Sequence, residues 1–287
     1  MEIKKICVLG AGTMGHGIAQ VCAQVGYQIS LVDIKDEFIE SGISKIRKFL
    51  DGSVERKKMT REEADSILSR IKGTTDLKEA AKDADLVIEA VAEDINLKKD
   101  IFKRLEQICP EHTIFASNTS YQNITEMTMV TKRPDKFIGM HWFNPPQLMR
   151  GIEVVVTSRT SPQTLDTAVT LCRKLGKEPG ICQDSPGFIV NRLLQIWVNE
   201  SLNIFDEGLA GMRDIDTALK TAYNFRMGPF ELRDLGGLDV ALAGTETIYG
   251  ELKRDQFKPP RCLVQKVRAG EPGRKTGRGF YEYQTKS

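Results

Sequence analysis

The chain opens with an apolar run and a glycine loop, Ile6-Cys7-Val8-Leu9-Gly10-Ala11-Gly12-Thr13-Met14-Gly15, and this stretch decides the fold. The apolar run predicts a buried β-strand, and an apolar helical pattern follows the loop as far as Ala23. Gly26 ends that helix, and Asp33 closes the next apolar run, about 20 residues after the loop. The order strand, glycine turn, helix, strand and acidic residue predicts a unit that binds a dinucleotide.

Each glycine of the loop has a physical task in such a unit. Gly10 permits a tight turn, Gly12 lets the backbone approach a pyrophosphate, and Gly15 lets the helix pack closely on the strand. The free N–H groups at the helix start, with Ala11, Thr13 and Met14 completing the loop, would face the diphosphate. A carboxylate at Asp33 can accept the ribose hydroxyls and repels a 2′-phosphate, which favours NAD over NADP. The alternative is a glycine-rich turn that binds no ligand.

Composition restricts the class of protein. The chain has 287 residues, 40% of them hydrophobic and 28% charged, which predicts a globular protein of about two domains. A net charge of +2 gives no reason to expect nucleic acid or a membrane surface as a partner. The six cysteines are scattered and form no C-x-x-C pair, so we expect buried thiols, no metal site and a cytoplasmic location.

The pattern after Asp33 predicts an α/β fold of the Rossmann type with a mostly parallel sheet. A helical excursion covers residues 36–71 and contains the capping-box pattern T-x-x-E at Thr60, which resembles an insertion projecting from the sheet. The alternation of strands and helices then resumes. A helix is predicted over residues 97–108, between the strands at residues 86–91 and 113–117. The predicted strands lie at residues 86–91, 113–117, 137–141, 152–156 and near 181–182.

The turn at residues 184–187, Asp-Ser-Pro-Gly, is the best candidate for a domain boundary, because strand alternation disappears after it. We predict an NAD-binding domain over residues 1–183 and a smaller all-helical domain over residues 184–287. The second domain begins with a long helix that is apolar around much of its circumference, which suits burial against a partner subunit as well as its own domain.

The catalytic candidates are a histidine and a glutamate on neighbouring strands. His141 ends an apolar strand, at the edge of the sheet where open α/β folds bind ligands. Glu153 lies inside the next apolar strand, where a carboxylate is costly unless it is paired. We predict that Glu153 accepts a hydrogen bond from His141, whose other nitrogen can take a proton from an alcohol. The alternative is a core histidine and an edge glutamate that never meet.

Two further polar positions are candidates for holding substrate or cofactor. Ser120 belongs to the run Ser117-Asn118-Thr119-Ser120 after another strand, and its hydroxyl can hold a substrate oxygen or a ribose, or only cap a helix. Asn191 is a polar residue in the apolar start of the long helix. It can donate to a substrate carbonyl, or only tie the helix to the linker.

Motifs across nearly the whole chain resemble the 3-hydroxyacyl-CoA dehydrogenase family, and most closely its short bacterial 3-hydroxybutyryl-CoA members. They occur in family order: the glycine loop, Glu89-Ala90-Val91-Ala92-Glu93, Ser117-Asn118-Thr119-Ser120, His141-Trp142-Phe143-Asn144-Pro145, the run at 184–192, Met227-Gly228-Pro229-Phe230-Glu231-Leu232, and the run at 273–281. The resemblance implies a dimer paired through its helical domains that interconverts an (S)-3-hydroxyacyl-CoA and a 3-oxoacyl-CoA with NAD.

The resemblance also implies roles for single residues. His141 would be the general acid–base and Glu153 its partner, while Ser120 and Asn191 would position the 3-oxygen and the thioester. Four residues would join the glycine loop and Asp33 around the dinucleotide: Glu93, Lys98, Asn144 and Lys275. Without the resemblance, Lys98 reads as a solvated helix residue and Lys275 as part of a flexible basic tail.

One departure from the family pattern keeps the substrate open. Gly151 stands two residues before Glu153, where the family usually has a bulky aliphatic residue, so a pocket lined by this position would have extra room. A free β-hydroxy acid such as carnitine or a sugar acid is the alternative substrate class. A nucleotide-binding protein kept for redox sensing or structure, without turnover, is the alternative from a different functional class.

Overall fold

The computed structural model describes residues 2–284. The chain divides into two compact units, Met1–Ser185 and Pro186–Ser287. The boundary expected between residues 183 and 184 lies two residues before this division.

The first unit is built on one eight-stranded sheet with the strand order β3-β2-β1-β4-β5-β6-β7-β8. Strands β1 to β6 are parallel to one another, β7 is antiparallel to β6, and β8 is parallel to β7. The mostly parallel Rossmann-type sheet is therefore confirmed. The strands are β1 Lys5–Leu9, β2 Gln28–Val32, β3 Ile71–Thr74, β4 Leu86–Glu89, β5 Ile114–Ser117, β6 Phe137–Trp142, β7 Gly151–Val156 and β8 Glu178–Gln183.

In the described part of this unit, seven α-helices connect the strands, and several begin at caps that the sequence makes recognisable. Thr60 forms the predicted capping box with Glu63, and the Ser161 side chain accepts a hydrogen bond from the backbone N–H of Thr164 before a proline at the first helical position. The helices are α1 Gly15–Gln24, α2 Asp36–Glu55, α3 Arg61–Ser69, α4 Leu77–Ala81, α5 Ile95–Ile108, α6 Ile124–Thr128 and α7 Pro162–Lys174.

The helical excursion is not an insertion that projects from the sheet. Helices α2 and α3 form the crossover between β2 and the parallel strand β3, and both pack against α1. Strand β3 was not predicted because its four residues, Ile-Lys-Gly-Thr at 71–74, contain a single large apolar side chain. Lys72 is exposed and the other three residues are half-buried, so the segment shows no alternation of buried and exposed positions. An edge strand of this kind carries no continuous apolar run.

The second unit is helical, as expected. Its helices are α8 Val190–Asp206, α9 Met212–Tyr223, α10 Pro229–Gly236, α11 Leu238–Leu252 and α12 Arg261–Arg268. The buried side chains of Val198, Leu202, Phe230 and Leu263 belong to its own apolar core. Buried Asp234 accepts hydrogen bonds from the backbone N–H groups of Phe280 and Tyr281, so the glycine-rich tail is tied to α10.

Within residues 2–284, none of the helices combines the length and the apolar character that a membrane span requires.

Candidate active site

The glycine loop makes a tight turn at Gly10 and leaves its backbone accessible at Gly12, on the side from which a dinucleotide would approach. Gly10 has φ +92°, and a Cβ atom there would lie 2.5 Å from the carbonyl oxygen of Ala90. Its N–H donates to the carbonyl of Val32 at 2.7 Å, which fixes the turn. Gly12 is different, because a Cβ atom there would meet nothing within 4 Å. The exposed surface at Gly12 and Thr13, before the first turn of α1, can receive a pyrophosphate.

The carboxylate of Asp33 lies at the carboxyl end of β2. It accepts hydrogen bonds from the backbone N–H groups of Ala11 and Ile34, each at 2.7 Å. A cleft of about 110 Å³ opens beside it and is mainly apolar, which suits an adenosine group. The cleft is lined by Leu9, Gly10, Val32, Asp33, Ile34, Thr75, Leu77, Val91, Ile101 and Arg104. The residues present therefore fit NAD.

His141 and Glu153 form the predicted contact. They lie directly opposite each other in the antiparallel pair β6–β7, and the distance from Nδ1 of His141 to Oε2 of Glu153 is 2.7 Å. Both side chains are buried, His141 being 4% exposed and Glu153 3% exposed. A carboxylate beside Nδ1 keeps the proton on that nitrogen, so Nε2 carries the lone pair. This arrangement can exchange a proton at Nε2.

Ser120 lies at that second nitrogen. Its Oγ atom is 3.2 Å from Nε2 of His141, so a serine hydroxyl and an imidazole converge on one point. Asn118 fixes the neighbouring strand end, because its Oδ1 accepts a hydrogen bond from the backbone N–H of Trp142 at 2.9 Å. The structure thus brings together three of the predicted residues, His141, Glu153 and Ser120.

A buried ionic network lies next to the Ser120 loop. Lys98 is 1% exposed, and its Nζ lies 2.6 Å from Oε1 of Glu89 and 3.3 Å from Oε2 of Glu93. Lys98 is therefore not a solvated helix residue. Glu89 was not among the predicted site residues, although it lies in the apolar run of β4. The same reasoning that singled out Glu153 would have found it.

The other three predicted site residues, Asn144, Asn191 and Lys275, lie outside the two strands that carry His141 and Glu153. Asn144 is exposed in the loop after β6, and Asn191 is half-buried in the first turn of α8. Lys275 is not part of a loose tail, because its Nζ lies 2.5 Å from Oδ2 of Asp239 in the same unit. Asn191 and Lys275 belong to the helical unit, whereas Asn144 belongs to the sheet unit.

Gly151 begins β7 and points to the same face as Glu153, two residues away. A Cβ atom at Gly151 would meet only the Phe143 ring, at 3.6 Å, which is ordinary van der Waals contact. The ring centres of Phe143 and His141 are 4.8 Å apart. Gly151 therefore leaves room beside Phe143, close to the histidine–glutamate pair.

Comparison with known proteins assigns the family. Residues 5–185 match the NAD-binding domain of 3-hydroxyacyl-CoA dehydrogenase, and residues 187–283 match the C-terminal domain of the same enzyme. The chain belongs to the 3-hydroxyacyl-CoA dehydrogenase family. It is an oxidoreductase that uses NAD, as the glycine loop and Asp33 predicted.

Relatives match over their full length. The probable 3-hydroxybutyryl-CoA dehydrogenase of Bacillus subtilis is 42% identical over 287 residues, which cover all of both chains. The crystal structure of (S)-3-hydroxybutyryl-CoA dehydrogenase from Ralstonia eutropha is 41% identical, with a TM-score of 0.96 over 99% of this chain and 100% of that one. A diketoreductase described with dicarbonyl compounds is 28% identical, with a TM-score of 0.85 over 99% of this chain and 100% of its own.

Two alanine substitutions separate the folding role of the glycine loop from its binding role. In Gly15→Ala, the new Cβ atom would lie 1.6 Å from the carbonyl oxygen of Gly10, so the loop must shift. We expect a loss of about 3 kcal/mol of stability, measured as a fall in Tm. In Gly12→Ala the Tm should stay unchanged, but the added methyl group occupies the pyrophosphate side and should weaken NADH binding at least about tenfold. A normal NADH affinity in Gly12→Ala would contradict the placement of the pyrophosphate.

Proposed function

We propose that this enzyme interconverts (S)-3-hydroxybutyryl-CoA and acetoacetyl-CoA, with NAD as the redox partner. The observation that carries the proposal is the buried hydrogen bond between His141 and Glu153, with Ser120 at the second imidazole nitrogen. The names of the relatives from Bacillus subtilis and Ralstonia eutropha, which match the whole chain, support this substrate.

The proton chemistry follows from the hydrogen bonds of His141. In the oxidative direction, Nε2 takes the proton of the 3-hydroxyl group, and the imidazolium that forms is stabilised by Glu153 at Nδ1. In the reductive direction, the imidazolium gives the same proton to the 3-oxygen. Ser120, 3.2 Å from Nε2, donates a hydrogen bond to that oxygen and holds it within reach. Asn191 is assigned to the thioester carbonyl on the family resemblance.

NAD, when bound, supplies the hydride acceptor or donor for carbon 3. The loop from Gly10 to Gly15 and Asp33 bind its diphosphate and adenosine ribose in this proposal. The family resemblance also assigns Glu93, Asn144, Lys275 and Ser120 to the cofactor, and it assigns Lys98, which is buried against Glu93, through that contact. The open backbone at Gly12 and the cleft beside Asp33 support this assignment.

A free β-hydroxy acid is the second candidate substrate, and the space beside Gly151 is the observation that favours it. The similarity to a diketoreductase is consistent with a fold that accepts substrates of more than one class. The intact histidine–glutamate pair argues against a protein that binds the nucleotide without turnover. A panel of acyl-CoA chain lengths and free β-hydroxy acids, assayed with NAD, distinguishes these candidates.

The direct test is the reduction of acetoacetyl-CoA, followed by NADH oxidation. The unmodified enzyme should turn over, and His141→Gln should lower kcat by at least about a thousandfold while NADH still binds, because only the acid–base group is removed. His112→Gln is the matched control, since His112 is half exposed and pairs with Asp85. No NADH oxidation by the unmodified enzyme would exclude the thioester substrate, and unchanged turnover in His141→Gln would exclude His141 from the mechanism.

A homodimer formed through the helical unit is also proposed. Leu193 is 63% exposed on α8, one turn before Trp197, whose ring centre lies 5.2 Å from that of Phe225. Tyr223, 71% exposed, extends the same apolar patch through its contact with Phe225. A patch of this kind supports association with a second copy of the chain.

Light scattering should give the mass of two chains, and Leu193→Glu should shift the protein towards the monomer because it places a charge in the apolar patch. Leu209→Glu is the control, since this exposed leucine lies beyond the end of α8. A monomeric unmodified protein would overturn the proposal.

A cytoplasmic location remains a proposal. All six cysteines are free thiols, and burial raises the pKa of Cys109, Cys172 and Cys262 to about 12. Unreactive, unpaired thiols support a reducing compartment.

A further inference from the structure

The carboxylate of Glu89 is fully buried at the carboxyl end of β4, and each of its oxygens is satisfied. Oε1 accepts hydrogen bonds from Nζ of Lys98 at 2.6 Å and from the backbone N–H of Val91 at 2.8 Å. Oε2 accepts from the hydroxyl of Ser117 at 2.6 Å. A buried carboxylate is costly without such partners. Glu89 and Lys98 therefore form a fixed ion pair beneath the strand ends.

Glu93 is joined to that ion pair on one side and to the Ser120 loop on the other. Its Oε2 atom lies 3.3 Å from Nζ of Lys98. Its Oε1 atom accepts from the Thr119 hydroxyl at 2.5 Å and from the backbone N–H groups of Ser120 and Tyr121, each at 2.9 Å. One carboxylate thus collects three hydrogen bonds from the turn that carries Ser120.

We infer that Lys98, held in place by Glu89, is a positioning residue: its ammonium group orients the Glu93 carboxylate, which holds Ser120 beside His141. The inference deepens the proposed function and depends on it. A chain of contacts runs from Lys98 through Glu93 and the N–H of Ser120 to the Ser120 hydroxyl, which lies 3.2 Å from Nε2 of His141. Glu89 has no place in the proposed reaction except through this chain.

The charge of Glu93 decides whether the chain holds, because an ionised carboxylate is the stronger acceptor for N–H groups. Burial raises the pKa of Glu93, but the charge of Lys98 and the hydrogen bonds from residues 119–121 outweigh it, so the pKa lies below its usual value. Glu93 is therefore ionised at neutral pH and becomes protonated only as the pH falls through this lowered pKa.

The titratable groups near Glu93 come from three elements. Lys98 of α5 is the nearest, Glu89 of β4 lies behind the same ammonium group, and His141 of β6 follows across Ser120. Removing the negative charge of Glu89 should therefore lower the pKa of Glu93, and removing Lys98 as well should raise it. An ion pair that serves only folding would shift the pKa of Glu93 in the same way but would leave kcat unchanged in a variant that folds.

The test compares Glu89→Gln with the double variant Glu89→Gln/Lys98→Met, which replaces the buried ion pair by neutral groups of similar size. The pKa of Glu93 is measured by ¹³C NMR of the glutamate carboxyl groups, assigned by the signal that Glu93→Gln removes. Relative to the unmodified protein, we expect a lower pKa in Glu89→Gln and a pKa about one unit higher in the double variant.

Activity is measured in parallel with acetoacetyl-CoA at saturating NADH. In the double variant, kcat should fall at least about tenfold, because Ser120 is no longer held, and the acid limb of the kcat profile should move up with Glu93. When Glu89→Gln and Lys98→Met are made in the Glu93→Gln variant, kcat should fall little further than in Glu93→Gln alone, because the contact through Glu93 is already lost. Glu79→Gln/Lys82→Met removes an exposed ion pair of the same residue types and should change neither readout.

An unchanged Glu93 pKa in both variants would overturn the inference, and so would a double variant with normal kcat and a normal acid limb. If the double variant does not fold, Glu89→Gln decides alone, because Lys98 keeps Glu93 as its counter-charge: an unchanged or raised Glu93 pKa would contradict the inference. Absence of turnover in the unmodified enzyme would remove the proposed function, and the Glu93 titration would still show whether Lys98 acts on Glu93.

Discussion

The antiparallel pairing of β6 with β7 is the constraint on which the candidate active site depends. In this register His141 lies directly opposite Glu153, and the two side chains share one face of the sheet. A slip of one residue would turn Glu153 to the other face, because side chains alternate along a strand. The parallel arrangement of β1 to β6 ends at this point, so the reversal of β7 is what supplies the carboxylate.

Because it is buried, the hydrogen bond between His141 and Glu153 determines where the imidazole carries its proton. A carboxylate in contact with imidazole and withdrawn from water fixes the protonated nitrogen and stabilises the imidazolium. Strand β5 lies beside β6 and β4 lies beside β5, so their carboxyl ends bring a second buried carboxylate, Glu89, and the Ser120 loop to the same edge. Two buried glutamates thus serve different ends: Glu153 contacts the imidazole, and Glu89 holds the lysine of a supporting network.

Much of this could be predicted from the sequence, because local patterns carry it. The glycine loop, Asp33, the cap at Ser161 and the capping box at Thr60 each depend on residues close together in the chain. The contact between His141 and Glu153 was also predictable, because a carboxylate inside an apolar strand requires a partner. The catalytic and cofactor-binding roles of these residues remain proposals.

Other features depend on contacts that no local pattern encodes. Strand β3 has too few apolar residues to stand out, and it becomes a strand because β2 offers it an edge. Lys98 lies next to another lysine in a helix and looks like a surface residue, yet it is buried between Glu89 and Glu93. The direction of β7 is likewise fixed by the sheet, since its apolar run is compatible with either direction.

The position of the proton on the neutral His141 ring is the most direct test of the proposed acid–base role. The protein has three histidines, so ¹⁵N-labelled imidazole signals can be assigned by losing one in His141→Gln. At a pH where the ring is neutral, we expect a proton on Nδ1, facing Glu153, and a lone pair on Nε2, with this preference weakened in Glu153→Gln. A proton on Nε2 of neutral His141 would contradict the assignment of that nitrogen as the atom that receives the substrate proton.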